Sequence, residues 1–342
     1  MRVLLTGSEG YLGRLTAPVL SAAGHDVVGL DTCFYGGARL YHDGVDRPPL
    51  VVRDVRRVEL DDLVGVDAVV HMGELSNDPL GELRASLTDD VNARGSARLA
   101  GLAKQAGVQR FVYMSSCSVY GVAEGDDVSE GSPIAPQTAY ARCKAEVEQS
   151  LAELEGPGFS TTALRNATAF GASPAMRFDI VLNNLAGLAH TTGVIAMSSD
   201  GSPWRPLVHG LDIAAAVREV LAAPTDAVAG QVFNVGSDAQ NYRVRDIAEH
   251  VAAAFPGCEL SFGAPGADNR SYRVRFDKLH EHLPGFRCAW DAAAGARQLA
   301  EVFRRISLDD ATFTGRGHTR LAQLQHLLST RQLDDDLYWR AA

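Results

Sequence analysis

Tyr140 and Lys144 lie four residues apart in a segment with helical periodicity, so both side chains are expected on one face of a helix. A nearby ammonium group stabilises a phenolate over a phenol, and such a tyrosine can exchange a proton with a hydroxyl group. Ser116 ends an apolar, strand-like run, and a serine at that edge of a parallel sheet faces the ligand crevice. We therefore predict that Ser116, Tyr140 and Lys144 are catalytic. Two alternatives remain open: a surface Tyr-Lys pair, and a serine hydroxyl that only ends its strand.

A glycine-rich turn follows the first apolar run, in the sequence TGSEGYLG. Gly7 suits a tight turn, Gly10 lets the backbone approach a pyrophosphate, and Gly13 allows close packing of the next helix, whose N-terminus attracts phosphate. The second strand then ends at Asp31, where a carboxylate accepts from a ribose hydroxyl and repels a 2′-phosphate. A simple turn and a solvated loop aspartate are the alternatives. The pattern predicts NAD, in preference to NADP, bound by Gly7, Gly10, Tyr11, Leu12, Gly13 and Asp31.

These residues must be positioned by short apolar runs that alternate with helical segments. The runs lie at residues 2–6, 25–31, 50–55, 68–71, 110–115 and 161–166. Such alternation implies βαβ crossovers and a parallel sheet. Beyond about residue 172 the alternation weakens, which indicates a smaller mixed lobe. We predict a cofactor domain at 1–171, a substrate lobe at 172–312 whose run 232–235 is a candidate to rejoin the main sheet, and a helical tail at 313–342.

Composition narrows the class of protein. The chain has 342 residues, 46% of them hydrophobic, and a formal net charge of -10, so it can bury a full core but lacks the basic surface expected of a nucleic-acid partner. No apolar run approaches the roughly 20 residues that span a bilayer. The N-terminus has no signal-peptide pattern. Five scattered cysteines predict neither a disulfide framework nor a zinc knuckle. We expect a cytoplasmic protein without membrane, nucleic-acid or metal partners.

The GxxGxxG spacing and the Ser-Tyr-Lys set together resemble the extended short-chain dehydrogenase/reductases that act on nucleotide sugars. The resemblance spans roughly residues 1–290. It implies a Rossmann-type, doubly wound α/β fold with a smaller C-terminal substrate lobe. It also implies that Asp54 and Val55 lie near the adenine and that the segment after His71 runs along the cofactor. Asn92 would brace the sheet beside the active site and, with Tyr140 and Lys144, would also contact the cofactor.

Three further positions bear on the type of reaction. In family members that perform 4,6-dehydration, an Asp-Glu pair follows the catalytic hydroxyl residue, whereas this chain has Cys117 and Ser118. Their absence argues against an ordinary 4,6-dehydratase. Cys117 is either a proton donor at the substrate or a small half-buried residue. Glu74 stands where the family has a small residue, and we favour a structural or substrate-binding role for it over that of a general base.

The resemblance extends to residues that would hold a diphosphate-linked sugar. Asn166 and Asn184 match positions that bind the phosphates or the sugar, and Arg205 and Arg270 match arginines that meet the nucleotide diphosphate. Guanidinium groups bind phosphate oxygens bidentately, so two of them suit this ligand. Surface salt bridges are the alternative for each arginine.

The resemblance implies an NAD-dependent nucleotide-sugar epimerase of the 4-epimerase type, with a transient 4-keto sugar and a cofactor regenerated in each turnover. The alternatives are a keto-sugar-nucleotide reductase or dehydrogenase, an atypical dehydratase using Glu74 or Cys117, and a non-catalytic cofactor-binding regulator. The substrate would be a UDP- or dTDP-linked sugar. A homodimer is expected through the helices near residues 89–106 and 139–154. The leucine-patterned tail lies outside the resemblance.

Overall fold

The computed structural model describes residues 1–76, 84–121, 127–264 and 271–340. The strands within these ranges are β1 (Arg2–Thr6), β2 (Asp26–Asp31), β3 (Leu50–Val52), β4 (Ala68–His71), β5 (Arg110–Ser116), β6 (Asp127–Val128), β7 (Ser160–Asn166), β8 (Thr168–Phe170), β9 (Val194–Ala196), β10 (Trp204–His209), β11 (Gln231–Val235), β12 (Asn241–Arg243), β13 (Glu259–Ser261) and β14 (Arg273–Val274). Seven of them form a parallel sheet in the order β11-β7-β5-β4-β1-β2-β3. The order reverses between β1 and β4, which is where ligands bind in open α/β sheets.

Helices cover the sheet and build the smaller lobe. They are α1 (Gly13–Ala22), α2 (Ala85–Thr88), α3 (Gly95–Gln105), α4 (Ala139–Leu154), α5 (Val181–Thr191), α6 (Gly210–Ala222), α7 (Thr225–Val228), α8 (Val244–Ala254), α9 (Asp277–His282), α10 (Ala292–Ile306), α11 (Asp310–Thr314) and α12 (Arg320–Ser329), and the π-helix Asp89–Arg94 joins α2 to α3. Short 3₁₀ turns lie at Val55–Arg57, Leu60–Leu63, Cys117–Tyr120, Asp238–Gln240 and Arg316–His318. Among the described residues, no helix is long and apolar enough to cross a bilayer.

The central sheet is buried on both faces. Successive side chains of a strand point to opposite faces, so Val3 and Leu5 of β1 pack in one apolar cluster and Leu4 in another. Each fully buried side chain of this kind stabilises the fold by roughly 1.5–3 kcal/mol. Runs of apolar residues without polar alternation are therefore the expected pattern for these strands, and the predicted parallel α/β sheet is confirmed.

The smaller lobe has its own core. Strands β8, β10 and β12 form a three-stranded sheet, and helices α5, α8 and α10 pack beside it. A third apolar cluster includes Phe170, Leu182, Ile247 and Phe303. The chain crosses back after α7, because β11 pairs with β7 at the edge of the main sheet. The C-terminal segment also packs against the main domain, where Leu324 and Leu337 join the same cluster as Leu4.

Candidate active site

A cavity of about 460 Å³ opens at the carboxyl ends of the parallel strands. Its wall is formed by the residues that end β1, β2, β4, β5 and β7, by the start of α1, and by parts of the smaller lobe. The predicted site residues that line it are Gly7, Gly10, Tyr11, Leu12, Gly13, Asp31, Asp54, Val55, Glu74, Ser116, Tyr140, Lys144 and Asn166. The fold therefore brings together most of the residues that the sequence singled out.

The glycine turn forms a cradle with no room for side chains. Gly7 has a φ of +69°, and a Cβ added to it would lie 2.7 Å from the carbonyl oxygen of Met72. A Cβ on Gly13 would lie 2.1 Å from the carbonyl oxygen of Gly7. Helix α1 begins directly after this turn. The close backbone approach and the helix N-terminus fit the pyrophosphate of NAD.

Asp31 is held at the end of β2 by two backbone donors. The N–H of Cys33 donates to Oδ1 at 2.7 Å, and the N–H of Glu9 donates to Oδ2 at 2.9 Å. Burial raises the pKa of Asp31, and the two N–H donors partly offset that rise. Asp54 lies nearby on the cavity wall and accepts from the Arg56 N–H at 2.8 Å. This end of the cavity suits the adenosine half of the cofactor.

The reacting end combines β5 with the first turns of α4. Ser116 Oγ accepts from the Ser118 N–H at 3.1 Å and so caps the turn that follows the strand. Thr138 caps α4 by accepting from the Ala141 N–H at 3.2 Å. This start places Tyr140 and Lys144 on one face, with Lys144 Nζ 5.4 Å from the centre of the Tyr140 ring.

Glu74 forms a buried ion pair with Lys144. Lys144 Nζ donates to Glu74 Oε2 and to the carbonyl oxygen of Met114, both at 2.5 Å. The hydroxyls of Ser96 and Tyr113 donate to Glu74 Oε1 at 2.9 and 2.8 Å, and the glutamate side chain is only 3% exposed. Burial lowers the pKa of Lys144, but the adjacent Glu74 carboxylate outweighs it and the net shift is upward. Lys144 is therefore a charged ammonium at neutral pH.

A chain of hydrogen bonds leads to this carboxylate from the sheet. Burial lowers the pKa of His71 to about 4, so its ring is neutral at neutral pH. Its Nε2 lies 2.7 Å from Ser96 Oγ and its Nδ1 lies 2.7 Å from Thr6 Oγ1. Since Ser96 donates its proton to Glu74, Nε2–H donates to Ser96 and Nδ1 accepts from Thr6. In this arrangement the side chains of Thr6, His71, Ser96 and Glu74 each have a hydrogen-bond partner.

Asn92 positions the segment that carries Glu74. Its Oδ1 accepts from the Leu75 N–H and its Nδ2 donates to the Leu75 carbonyl, each at 2.9 Å. The side chain is fully buried in the π-helix and holds the backbone after β4 in place. Its position is that of a brace, behind the cavity wall rather than in contact with a ligand.

Two buried polar atoms at the reacting end have no partner among the described residues. Asn166 Nδ2 donates to Ser115 and Leu164 carbonyls at 3.1 and 3.0 Å, but its Oδ1 accepts nothing. Ser118 Oγ is also buried without a hydrogen-bond partner among the described residues. Both residues line the cavity. Unsatisfied buried polar atoms are costly, and a ligand rich in hydroxyl groups would satisfy them.

Three other substrate candidates within the described ranges, Cys117, Asn184 and Arg205, do not line the cavity. Cys117 packs in the core beneath it, where Sγ donates to the Arg165 carbonyl at 3.2 Å and burial raises its thiol pKa. Helix α5 turns Asn183 inward, to accept from the Gly171 N–H at 2.9 Å, and leaves Asn184 beside it off the cavity wall. Arg205 lies on β10 and donates to the Trp204 carbonyl at 2.8 Å. Arg270 lies outside the described residues.

The cavity wall includes several residues that sequence reasoning did not single out, among them Tyr35, Arg177 and Arg320. Arg177 bonds Asp179 through Nε at 2.9 Å and Ser76 Oγ through Nη1 at 3.0 Å. Arg320 comes from α12, nearly three hundred residues after the loop that holds Tyr35. A single arginine in a leucine-patterned helix carries no signal that it reaches a ligand site.

Comparisons with known proteins agree with this geometry. The family model of the NAD dependent epimerase/dehydratase family matches residues 3–236. The chain is similar to the UDP-glucose 4-epimerase of Mycolicibacterium smegmatis, with 30% identity over 90% of this chain and 100% of that protein. Its structure resembles that of MoeE5 in complex with UDP-glucuronic acid and NAD, with a TM-score of 0.76, 25% identity, and coverage of 90% and 100% of the two chains. It also resembles TunA, an NAD dependent NDP-hexosamine 5,6-dehydratase, with a TM-score of 0.78, 23% identity, and coverage of 89% and 98%.

Proposed function

Because the chain belongs to the NAD dependent epimerase/dehydratase family, whose cofactor is NAD, we propose that it is a nucleotide-sugar epimerase that inverts C4 of the sugar. The similar proteins indicate a UDP-linked hexose as the first substrate to assay. The cradle of Gly7, Gly10 and Gly13 would hold NAD, which would supply the acceptor and donor for the hydride of C4. The protein must then supply a proton acceptor, hold the sugar, and retain the cofactor.

One observation carries the choice of epimerisation. Elimination of water needs a carboxylate and an acid beside the sugar, but at the end of β5 and in the turn after it the residues that line the cavity are the serines Ser116 and Ser118. Between them, Cys117 points into the core with a raised thiol pKa. Epimerisation at C4 needs no such pair, because one tyrosine removes and returns the hydroxyl proton.

In the proposed reaction Tyr140 Oη accepts the proton of the C4 hydroxyl as the hydride leaves C4. The Lys144 ammonium lies on the same helix face and stabilises the developing phenolate charge. Ser116 lines the cavity at the end of β5, and in this proposal its Oγ donates to the C4 oxygen. When the flat 4-keto sugar rotates and takes the hydride on its other face, Tyr140 returns the proton.

Ser118 and Asn166 hold the sugar in this proposal. Both residues line the cavity beside Ser116, and in this proposal their unpartnered, buried oxygens turn toward the sugar and bond its hydroxyls. Glu74 acts on Lys144 rather than on the sugar, since Lys144, Ser96 and Tyr113 all donate to its carboxylate. It keeps Lys144 charged and fixes the ammonium near Tyr140.

Glu74 also supports a second candidate, an atypical nucleotide-sugar dehydratase. It is a carboxylate on the cavity wall, at a place from which a side chain can reach a ligand. If NAD binding moved Lys144 away, Glu74 could serve as the base for elimination. The 5,6-dehydratase TunA shares the fold.

One assay separates these reactions. The purified protein is incubated with UDP-glucose, UDP-galactose or dTDP-glucose without added cofactor, and the products are analysed by chromatography and mass spectrometry. We expect interconversion of C4 epimers at unchanged mass. A product lighter by one water would establish the dehydratase. If none of these sugars is converted, a second incubation with NADH and a 4-keto-sugar nucleotide tests the reductase, which would consume NADH. Tyr140→Phe should lower epimerisation by about 10²- to 10⁴-fold while the protein retains NAD.

We also propose a homodimer formed through α3 and α4. The two helices pack side by side within the chain, so their outward positions form one continuous surface. Light scattering coupled to size-exclusion chromatography should give twice the mass of the chain, and a monomeric mass at micromolar concentration would rule the dimer out.

A further inference from the structure

The C-terminal segment fastens the loop that follows Asp31. Gln323 Nε2 donates to the Phe34 carbonyl at 3.1 Å, and Trp339 Nε1 donates to the Thr32 carbonyl at 2.7 Å. The Trp339 and Phe34 rings lie 5.8 Å apart between centres. The C-terminal segment therefore supports the loop that lines the adenosine end of the cavity.

Arg320, the first residue of α12, reaches the cavity itself. Its guanidinium carbon lies 3.9 Å from the centre of the Tyr35 ring, and the residue is only 3% exposed. Burial lowers the pKa of Arg320 to about 10, which leaves it charged at neutral pH. Within the described ranges no carboxylate pairs with this guanidinium and no hydrogen-bond acceptor meets it. Asp179 and Asp31 act on it only from beyond salt-bridge distance. A buried charge without a contacting counter-charge is costly, so its position indicates an anionic ligand.

The charges around Arg320 show where along the cavity it lies. Its guanidinium interacts electrostatically with Tyr35, Arg177, Asp179 and Asp31, with Asp31 the weakest of these. Arg177 in turn interacts with both Tyr35 and Tyr140. The two arginines therefore lie between the adenosine end and the reacting end. The centre of the cavity is where the pyrophosphate of a dinucleotide must lie when it spans both ends.

We propose that Arg320 binds the pyrophosphate of NAD, so that the C-terminal segment completes the cofactor site. The glycine cradle approaches the phosphates from one side, and the guanidinium fork from α12 approaches them from the other. A planar fork matches phosphate oxygens bidentately, and the Tyr35 ring holds its plane. The inference rests on NAD as the cofactor and stands apart from the choice between epimerase and dehydratase.

The test is the dissociation constant of cofactor fragments, measured by calorimetry on protein freed of NAD. For Arg320→Gln we expect binding of NAD and of ADP-ribose to weaken by about 10- to 100-fold, as is typical when a charge-assisted hydrogen bond is lost. Binding of adenosine, which has no phosphate, should change less than 2-fold. Arg316→Gln removes an exposed arginine four residues earlier and should leave all three constants unchanged.

Thermal unfolding provides a second, independent measurement. Arg320→Met keeps similar volume without the charge, so the cofactor-free protein should be at least as stable as the parent, while the increase in Tm caused by NAD should shrink. Unchanged affinity for NAD and ADP-ribose would overturn the proposal. An equal loss of affinity for adenosine would also overturn it, because that result would show a role in shaping the loop.

Discussion

At the scale of single residues, the Glu74–Lys144 pair distinguishes this site. A small residue at position 74 would leave Lys144 bonded to the Met114 carbonyl and the cofactor alone. Here the Glu74 carboxylate accepts hydrogen bonds from one ammonium group and two hydroxyl groups, and its side chain is only 3% exposed. The carboxylate fixes the position and charge of the lysine. The stability of the fold then depends on both partners together, because either one alone would be a buried, uncompensated charge.

Removing one member of this pair should be strongly destabilising. Glu74→Gln leaves a buried ammonium without its counter-charge, so we expect the free energy of unfolding to fall by about 3–5 kcal/mol, measured by urea denaturation. The double variant Glu74→Gln/Lys144→Met is the control. It removes both charges and should be more stable than Glu74→Gln alone. A single variant as stable as the parent would show that the pair does not form.

His71 predicts a pH dependence of stability. Burial holds its pKa near 4, below the ordinary value of 6.5, so between these values the unfolded chain binds a proton that the folded protein does not. The free energy of unfolding should therefore fall as the pH drops from 6.5 to 4, by up to about 3 kcal/mol for this residue. His71→Asn should flatten this dependence, measured by urea denaturation across that range. The exposed His42→Asn should not, and equal slopes for all three proteins would contradict the assignment.

The sequence identified the residues with a motif and missed their partners. Ser116, Tyr140 and Lys144 belong to a pattern with fixed spacing, and the fold places all three on the cavity wall. The bonds from Ser96 and Tyr113 to Glu74 join residues 22 and 39 positions apart, which no local pattern reveals. Cys117 follows Ser116 directly, but the 3₁₀ turn that begins there directs its thiol into the core.

At the scale of elements, the C-terminal helix α12 is the element whose contacts were hardest to predict from the sequence. Its leucine spacing predicted a docked helix, and Leu324 and Leu327 do pack against the main domain. Periodicity shows that a helix has an apolar face, but it does not show which surface that face covers. The long-range contacts to Thr32 and Phe34 therefore appeared only in the folded chain.

If this helix is integral to the main domain, shortening a buried leucine should destabilise the whole fold. Leu324 is 1% exposed, and Leu324→Ala should lower the free energy of unfolding by about 2–5 kcal/mol in a single cooperative transition. Gln325→Ala, on the exposed face of the same helix, should change it by less than about 0.5 kcal/mol. A separate early transition in Leu324→Ala would instead show that the segment unfolds on its own.

At the scale of the whole molecule, strand β11 prevents a simple division of the chain. From the sequence we predict a domain boundary near residue 171 and name the run 232–235 as a candidate to rejoin the main sheet. In the structure β11 lies at the edge of the main sheet, between segments that build the smaller lobe. We keep the two-lobe division as a proposal, with this strand and the C-terminal segment assigned to the cofactor lobe.

The central claim is that C4 loses a hydride and regains the same one. The most direct measurement follows UDP-glucose labelled with deuterium at C4 through turnover without added cofactor. We expect UDP-galactose that retains deuterium at C4, and no uptake of solvent deuterium at C5 when unlabelled substrate reacts in D₂O. Loss of the C4 label to solvent, exchange at C5, or a product lacking the elements of water would contradict the proposed epimerisation.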